Sequence, residues 1–251
     1  MKSTKMTLCT LILLCISIAS GKAEGEKDSL KILFIGNSYT YVENLPHIVT
    51  SLASGGSTKL VTKKSTVGGA KLAEHWHGKR GLKSKEMIEK GDFDIVVIQG
   101  FSMGAINEAD SVAKYGKLFC DLVKENNAKP YFYLTWAREK VPQYQETINE
   151  VYYKVARDND AGIVPVGNAW ALARQLRPDI PLFHPDGSHP SELGTFLTAS
   201  VFVATFLGEI PKGYSGYCSL EDRYGENVRL MHIDALDVEF CKKVTEEIVL
   251  K

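Results

Sequence analysis

The 251-residue chain balances 30 lysines and arginines against 30 aspartates and glutamates and is 44% hydrophobic. That length suits one α/β domain or at most two small ones. The even charge, with basic residues scattered rather than clustered, gives no electrostatic case for a nucleic-acid partner.

Residues 1–23 read as a secretory signal peptide. Lys2 and Lys5 form a positive n-region, residues 8–18 an apolar core too short to span a bilayer, and Ala19, Gly21 and Ala23 supply small residues for cleavage after Gly21 or Ala23. Cys9 and Cys15 fall inside this leader, and the leucines before them argue against a lipid anchor. The mature chain, residues 24–251, is expected as a single domain, secreted or periplasmic, without stable membrane insertion. It carries 27 basic against 30 acidic residues.

The first structural signal is the apolar run Ile32–Ile35 in KILFIGNSYT, which has no polar alternation. Such a run, cut off by Gly36, reads as a strand buried on both faces of a parallel sheet. Gly36-Asn37 then turns the chain and presents Ser38 past the strand's carboxyl end, although the triplet by itself also reads as a plain turn. A helix is predicted over residues 44–54, then a polar-alternating strand over 60–66 that belongs near a sheet edge. Val67-Gly68-Gly69-Ala70 makes the next turn, leading into a helix that carries Leu72, His75 and Trp76. Residues 93–99 (FDIVVIQ) form another apolar strand, cut by Gly100, and 109–126 a helix. Strands over 130–135 and 162–166 flank a helix over 144–158. Helices over 169–176, 191–207 and 235–249 follow, with a loop at 181–190 between the first two. Five alternations of strand and helix predict a five-stranded parallel sheet covered by helices on both faces. In such a sheet ligands bind outside the carboxyl ends of the strands, which is where Ser38 stands.

A second informative stretch is LFHPDGSHPSELGT, in which Asp186 and His189 are separated by Gly187-Ser188 and Pro190 opens a helix. That spacing sets two side chains side by side, so Asp186 can accept the Nδ1 proton of His189 and leave Nε2 as a base. An Asx-turn followed by a capping residue is the plainer alternative. The chain order Ser, Asp, His is one that a hydrolase on a parallel sheet can use.

GNSYT near the amino terminus, a glycine after the second strand (Gly69, after residues 60–66) and Asp-x-x-His-Pro near the carboxyl terminus resemble the SGNH (GDSL-type) hydrolase superfamily, and DGSHPSELGTFLTA resembles uncharacterised secreted bacterial members. The resemblance spans the mature chain in motif order. It implies a three-layer, flavodoxin-like sandwich and a secreted serine esterase with Ser38 as nucleophile, His189 as base and Asp186 as orienting carboxylate. It also implies an oxyanion hole from the N–H groups of Ser38 and Gly69 and a third donor. The family's asparagine in Gly-x-Asn-Asp is missing from Gln99-Gly100-Phe101-Ser102. Gln99 is therefore expected as the replacement and Ser102 as the second choice, while Gln99 also reads as a strand terminus that bonds loop backbone.

Asn37, where relatives carry aspartate, reads as a structural turn residue. His75 and Trp76 are expected to line a substrate groove or simply to pack, with Trp136 as a further apolar wall. A metal reading of His75-Trp76-His77 lacks a completing ligand, so neither metal nor organic cofactor is expected. Cys120 reads as a core residue, and Cys218 and Cys241 could pair in an oxidising compartment. The substrate is expected to be a small-molecule or polysaccharide ester, with an O-acetyl or other short acyl group on a carbohydrate favoured. The alternatives are an acyltransferase or a carbohydrate-binding protein that has lost catalysis.

Overall fold

The computed structural model describes residues 28–251. The leader read at residues 1–23 lies outside the described residues. The strands are β1 (Ser29–Gly36), β2 (Lys59–Thr66), β3 (Ile95–Ile98), β4 (Lys129–Tyr133), β5 (Gly162–Val164), β6 (Tyr217–Glu221) and β7 (Asn227–His232). The first helices are α1 (Ser38–Tyr41), α2 (Leu45–Leu52), α3 (Leu72–Trp76), α4 (Ser84–Lys90) and α5 (Gly104–Asn107). After them come α6 (Ala109–Glu125), α7 (Gln145–Asp158), α8 (Val166–Leu176), α9 (Glu192–Leu207) and α10 (Ala235–Thr245).

Strands β1 to β5 form one parallel sheet in the order β2-β1-β3-β4-β5, with β2 at an edge. That is the flavodoxin-like order, and its switch point lies between β1 and β3. The apolar run in β1 explains itself in this setting. Ile32 and Phe34 enter one core layer with α2, α8, α9 and α10, and Leu33 and Ile35 enter the other with α3, α4, α6 and α7. All four are fully buried, so neither face of the strand has room for a polar side chain. Strand β2 has a buried Leu60 and Ser65 among exposed lysines, the pattern of an edge.

Several boundaries differ from the sequence expectation for local reasons. The helix expected at 44–54 starts at Leu45, because Glu43 and Asn44 take positive φ (50° and 54°) and break the chain after α1. Strand β5 stops at Val164, since Pro165 turns the chain into α8 at Val166. Helix α9 is buried almost all round, running between the sheet and α10, and ends at Gly208 with φ +70°. The antiparallel hairpin β6–β7 and the helix α4 were not foreseen. Cys120, Cys218 and Cys241 are buried free thiols, so the pairing of Cys218 with Cys241 that an oxidising compartment would permit is not formed. None of the described helices is long and apolar enough to cross a membrane.

Candidate active site

The end of β1 is held by a polar cage before Ser38 is reached. Asn37 Oδ1 accepts the Tyr39 N–H at 3.1 Å and caps α1. Its amide nitrogen donates to the carbonyls of Ala70 (3.1 Å) and Gly100 (3.3 Å), tying the β1 turn to the two neighbouring loops. Asn37 is thus a structural clamp, as its sequence context suggested. Ser38 opens α1, so its own N–H is among the helical amides without an intrahelical partner. Beside it, the Val67–Ala70 turn closes through Ala70 N–H to the Val67 carbonyl at 3.0 Å. Gly69 takes φ +67° there, a conformation natural to glycine.

At the same rim of the sheet, the loop before α9 delivers Asp186 and His189. Asp186 Oδ1 accepts the backbone N–H of Ser188 and of His189, each at 2.9 Å. Its Oδ2 meets His189 Nδ1 at 2.6 Å. His189 Nε2 lies 2.8 Å from Ser38 Oγ, across 151 residues of sequence. Burial pushes the Asp186 pKa up, but the hydrogen bonds from the His189 ring and from the Ser188 and His189 amides, with the charge of His189, outweigh it. The carboxyl is held well below the usual carboxylate range. An ionised Asp186 only accepts, so Nδ1 carries the proton and Nε2 is left to accept the Ser38 hydroxyl. The three residues named from the sequence meet in one hydrogen-bonded line. Among the described residues no group of three or more His, Cys, Asp or Glu side chains is placed to hold a metal ion.

Of the neighbours of these residues, Tyr39, Ser188 and Arg138 were not singled out by sequence. The Tyr39 hydroxyl is 2.8 Å from Ser188 Oγ, linking the residue after Ser38 to the residue before His189. Burial raises the Tyr39 pKa, against hydrogen bonding from Ser188, Ser102 and Arg138 and the charge of Arg138. Arg138 Nη2 donates to Ser102 Oγ at 3.0 Å. No local pattern marks Arg138, which stands in a charged run, Arg138-Glu139-Lys140, just past an apolar strand.

Four expected groove or donor residues take other places. Gln99 is fully buried, and its Oε1 accepts the Asn37 N–H (2.8 Å) and the Thr40 hydroxyl (3.0 Å). Its amide nitrogen donates to the Gly100 carbonyl, so the strand-terminus reading holds and Gln99 is not an oxyanion donor. His75 is buried beneath the site, not in a groove: Nε2 donates to the Gly36 carbonyl at 3.0 Å and Nδ1 lies 2.7 Å from Ser84 Oγ. Desolvation lowers its pKa to about 4, outweighing the Gly36 hydrogen bond and Glu74. Trp76 packs edge-on to Phe119 at 5.3 Å in the layer of α3 and α6. Trp136 is buried between Tyr39 (4.6 Å) and Trp170 (3.8 Å), its faces covered by the two rings, and its Nε1 donates to the Ser188 carbonyl at 3.0 Å. It supports the site from below, and only its edge borders a cavity of about 310 Å³ with Phe183, Arg174 and Gln175.

No protein-family model and no curated protein matches the chain. Solved structures do. A protein from Slackia heliotrinireducens assigned to the SGNH hydrolases is 24% identical, with a TM-score of 0.61 over 71% of this chain and 99% of that one. A DUF4886 family protein from Bacteroides uniformis is 17% identical, with a TM-score of 0.68 over 89% of this chain and 95% of that one. The psychrotrophic esterase EstA of Pseudoalteromonas, solved with monoethylphosphonate as inhibitor, is 12% identical, with a TM-score of 0.55 over 71% and 99%. The chain has the fold of the SGNH hydrolases.

Proposed function

We propose that the protein is a serine esterase, exported with the leader at residues 1–23, that hydrolyses a short-chain ester through Ser38, His189 and Asp186. The observation that carries this reading is the single imidazole bridging Ser38 Oγ at 2.8 Å and Asp186 Oδ2 at 2.6 Å. In the proposed reaction Ser38 Oγ attacks the ester carbonyl while His189 Nε2 takes its proton. The same proton then goes to the leaving alcohol, and a water molecule, deprotonated in turn by His189, releases the acid from the acyl-enzyme. The N–H groups of Ser38 and Gly69 stabilise the oxyanion. Ser102 is the third donor: its oxygen accepts from Arg138, and its proton would turn from the Tyr39 hydroxyl to the oxyanion. A carbohydrate O-acetyl group is the favoured substrate. An acetyl xylan esterase, AlAXEase, shares the fold at a TM-score of 0.54 and 16% identity, which supports that choice.

The test is fluorophosphonate labelling of the purified protein with peptide mapping, run beside hydrolysis of a short-chain acetyl ester. Label on Ser38, with matched loss of turnover and no label in S38A, is expected. A folded protein that takes no label and turns over no ester would instead be a glycan-binding relative of these enzymes.

A further inference from the structure

Among the arginines, Arg80 pairs with Glu74, Arg157 with Asp158 and Arg177 with Asp237, while Arg174 and Arg223, without an ion pair among the described residues, lie over the rings of Phe183 and Tyr224. Arg138 stands beside the candidate site with no ion pair to any described residue. Its Nη2 donates to the Ser102 hydroxyl at 3.0 Å and the guanidinium also acts on the Tyr39 hydroxyl, while Nε is buried and makes no hydrogen bond. Nη1 makes no hydrogen bond and is not among the buried donors, so the Nη1–Nη2 end of the guanidinium is the edge open to a carboxylate in two parallel hydrogen bonds. A half-buried cation without a counter-ion and with an orphaned donor is costly to fold around, which points to an anion that arrives with a ligand.

The position is informative. Ser102 lies past the end of β3, and the Tyr39 hydroxyl, bonded to Ser188, senses both Ser102 and Arg138. The guanidinium is thus linked through Ser102 and Tyr39 to Ser188, and Tyr39 and Ser188 are chain neighbours of Ser38 and His189. A single planar fork suits a monoanionic carboxylate better than a phosphate dianion. Lys71, over the Phe101 ring, is already paired with Glu108 and offers no second free cation.

We propose that Arg138 anchors a carboxylate on the ester substrate, so that the preferred substrates are acidic esters such as O-acylated acidic sugars. The inference rests on the esterase reading and narrows its substrate class. The carboxylate belongs either to the alcohol or to the acyl part, and two matched pairs of esters separate the cases: 4-acetoxybenzoate against its methyl ester, and mono-4-nitrophenyl succinate against 4-nitrophenyl butyrate. A charge-assisted bidentate contact implies that kcat/KM favours the acid of one pair by about 10- to 100-fold, chiefly through KM. In R138Q that ratio falls to near one, and R138K retains part of it. Reading a ratio cancels any general weakening transmitted through Ser102, because that lowers both members of a pair alike. No preference for the acid in either pair, or a preference that survives in both R138Q and R138K, overturns the proposal. If the folded protein hydrolyses none of the four esters, the esterase reading fails on its own. Calorimetry with 4-hydroxybenzoate and succinate against 4-hydroxybenzamide and succinamide then decides the anion site. Carboxylate-specific binding lost in R138Q upholds it, and no binding to the wild-type protein rejects it.

Discussion

Asp186 performs two separable tasks with its two oxygens. Oδ1 shapes the loop by accepting the Ser188 and His189 amides, and Oδ2 orients the imidazole. D186N keeps an acceptor for the loop but can turn an NH₂ toward Nδ1, which favours the tautomer in which Nε2 holds the proton. Turnover of a neutral acetyl ester should drop by about 10³- to 10⁴-fold with little change in melting temperature. D186A removes both tasks and should lower the melting temperature as well. Equal stability loss in the two variants would show that the loop does not depend on Oδ1. The linkage has a definite sign. A carboxyl held below its ordinary range stabilises the fold above that range, and the contribution is lost only as pH falls through the depressed value.

At the scale of one element, the end of β1 is fixed by residues whose importance is invisible locally. The Gly36 carbonyl only accepts, so His75 Nε2 must donate to it. Nδ1 then accepts from Ser84, whose oxygen lies 2.9 Å from Ser65 Oγ. This arrangement requires a neutral His75, and its pKa of about 4 lies below the ordinary imidazole value of 6.5. Between those values the unfolded chain binds a proton that the folded one refuses, so stability falls as pH drops through the window. The full loss is about 3 kcal/mol. Urea unfolding at pH 7 and pH 4.5 should show a smaller loss in H75Q than in the wild type. An equal loss would assign the acid sensitivity to other groups. Gly36 is equally constrained, because a Cβ there would meet Gln99 Oε1 and Thr40 Oγ1. G36A should cost about 1–3 kcal/mol in the same assay.

These cases also explain what the sequence could and could not convey. Ser38, Asp186 and His189 were legible as candidates because turn chemistry and three-residue spacing are local and the alternation of strands implied a shared rim, while the family resemblance supplied their roles. Gln99 and His75 were each read two ways, as site residues and as structural ones, and the sequence could not choose because their partners lie far along the chain at the end of β1, at Asn37 and Gly36. Arg138 carries no local pattern at all. The hairpin β6–β7 had a usable signal in Gly225, at φ +81°, between two short alternating runs, but its exposed Tyr217 and Val228 blurred the pattern.

Over the whole molecule, the β2-β1-β3-β4-β5 order draws the site from four loops at one rim: after β1, β2, β3 and the loop before α9. The remaining stability is packing, and thiol chemistry plays no part in it. Burial pushes the Cys241 thiol up to about 12 and raises Cys218 as well, leaving both unreactive. Melting temperatures measured with and without a reductant should therefore coincide. A drop of several degrees on reduction would reveal a disulfide.

The stacked rings Tyr39, Trp136 and Trp170 join the two halves of the site, since Tyr39 follows the nucleophile and the Trp136 indole holds the Ser188 carbonyl next to His189. Two of the chain's three tryptophans thus sit in this column, and the third, Trp76, lies in the opposite layer. The molecule consequently carries its own optical probe. In a W76F background, emission and near-ultraviolet dichroism would come from the indoles beneath the reacting residues, so acylation of Ser38 could be followed in real time without any added dye.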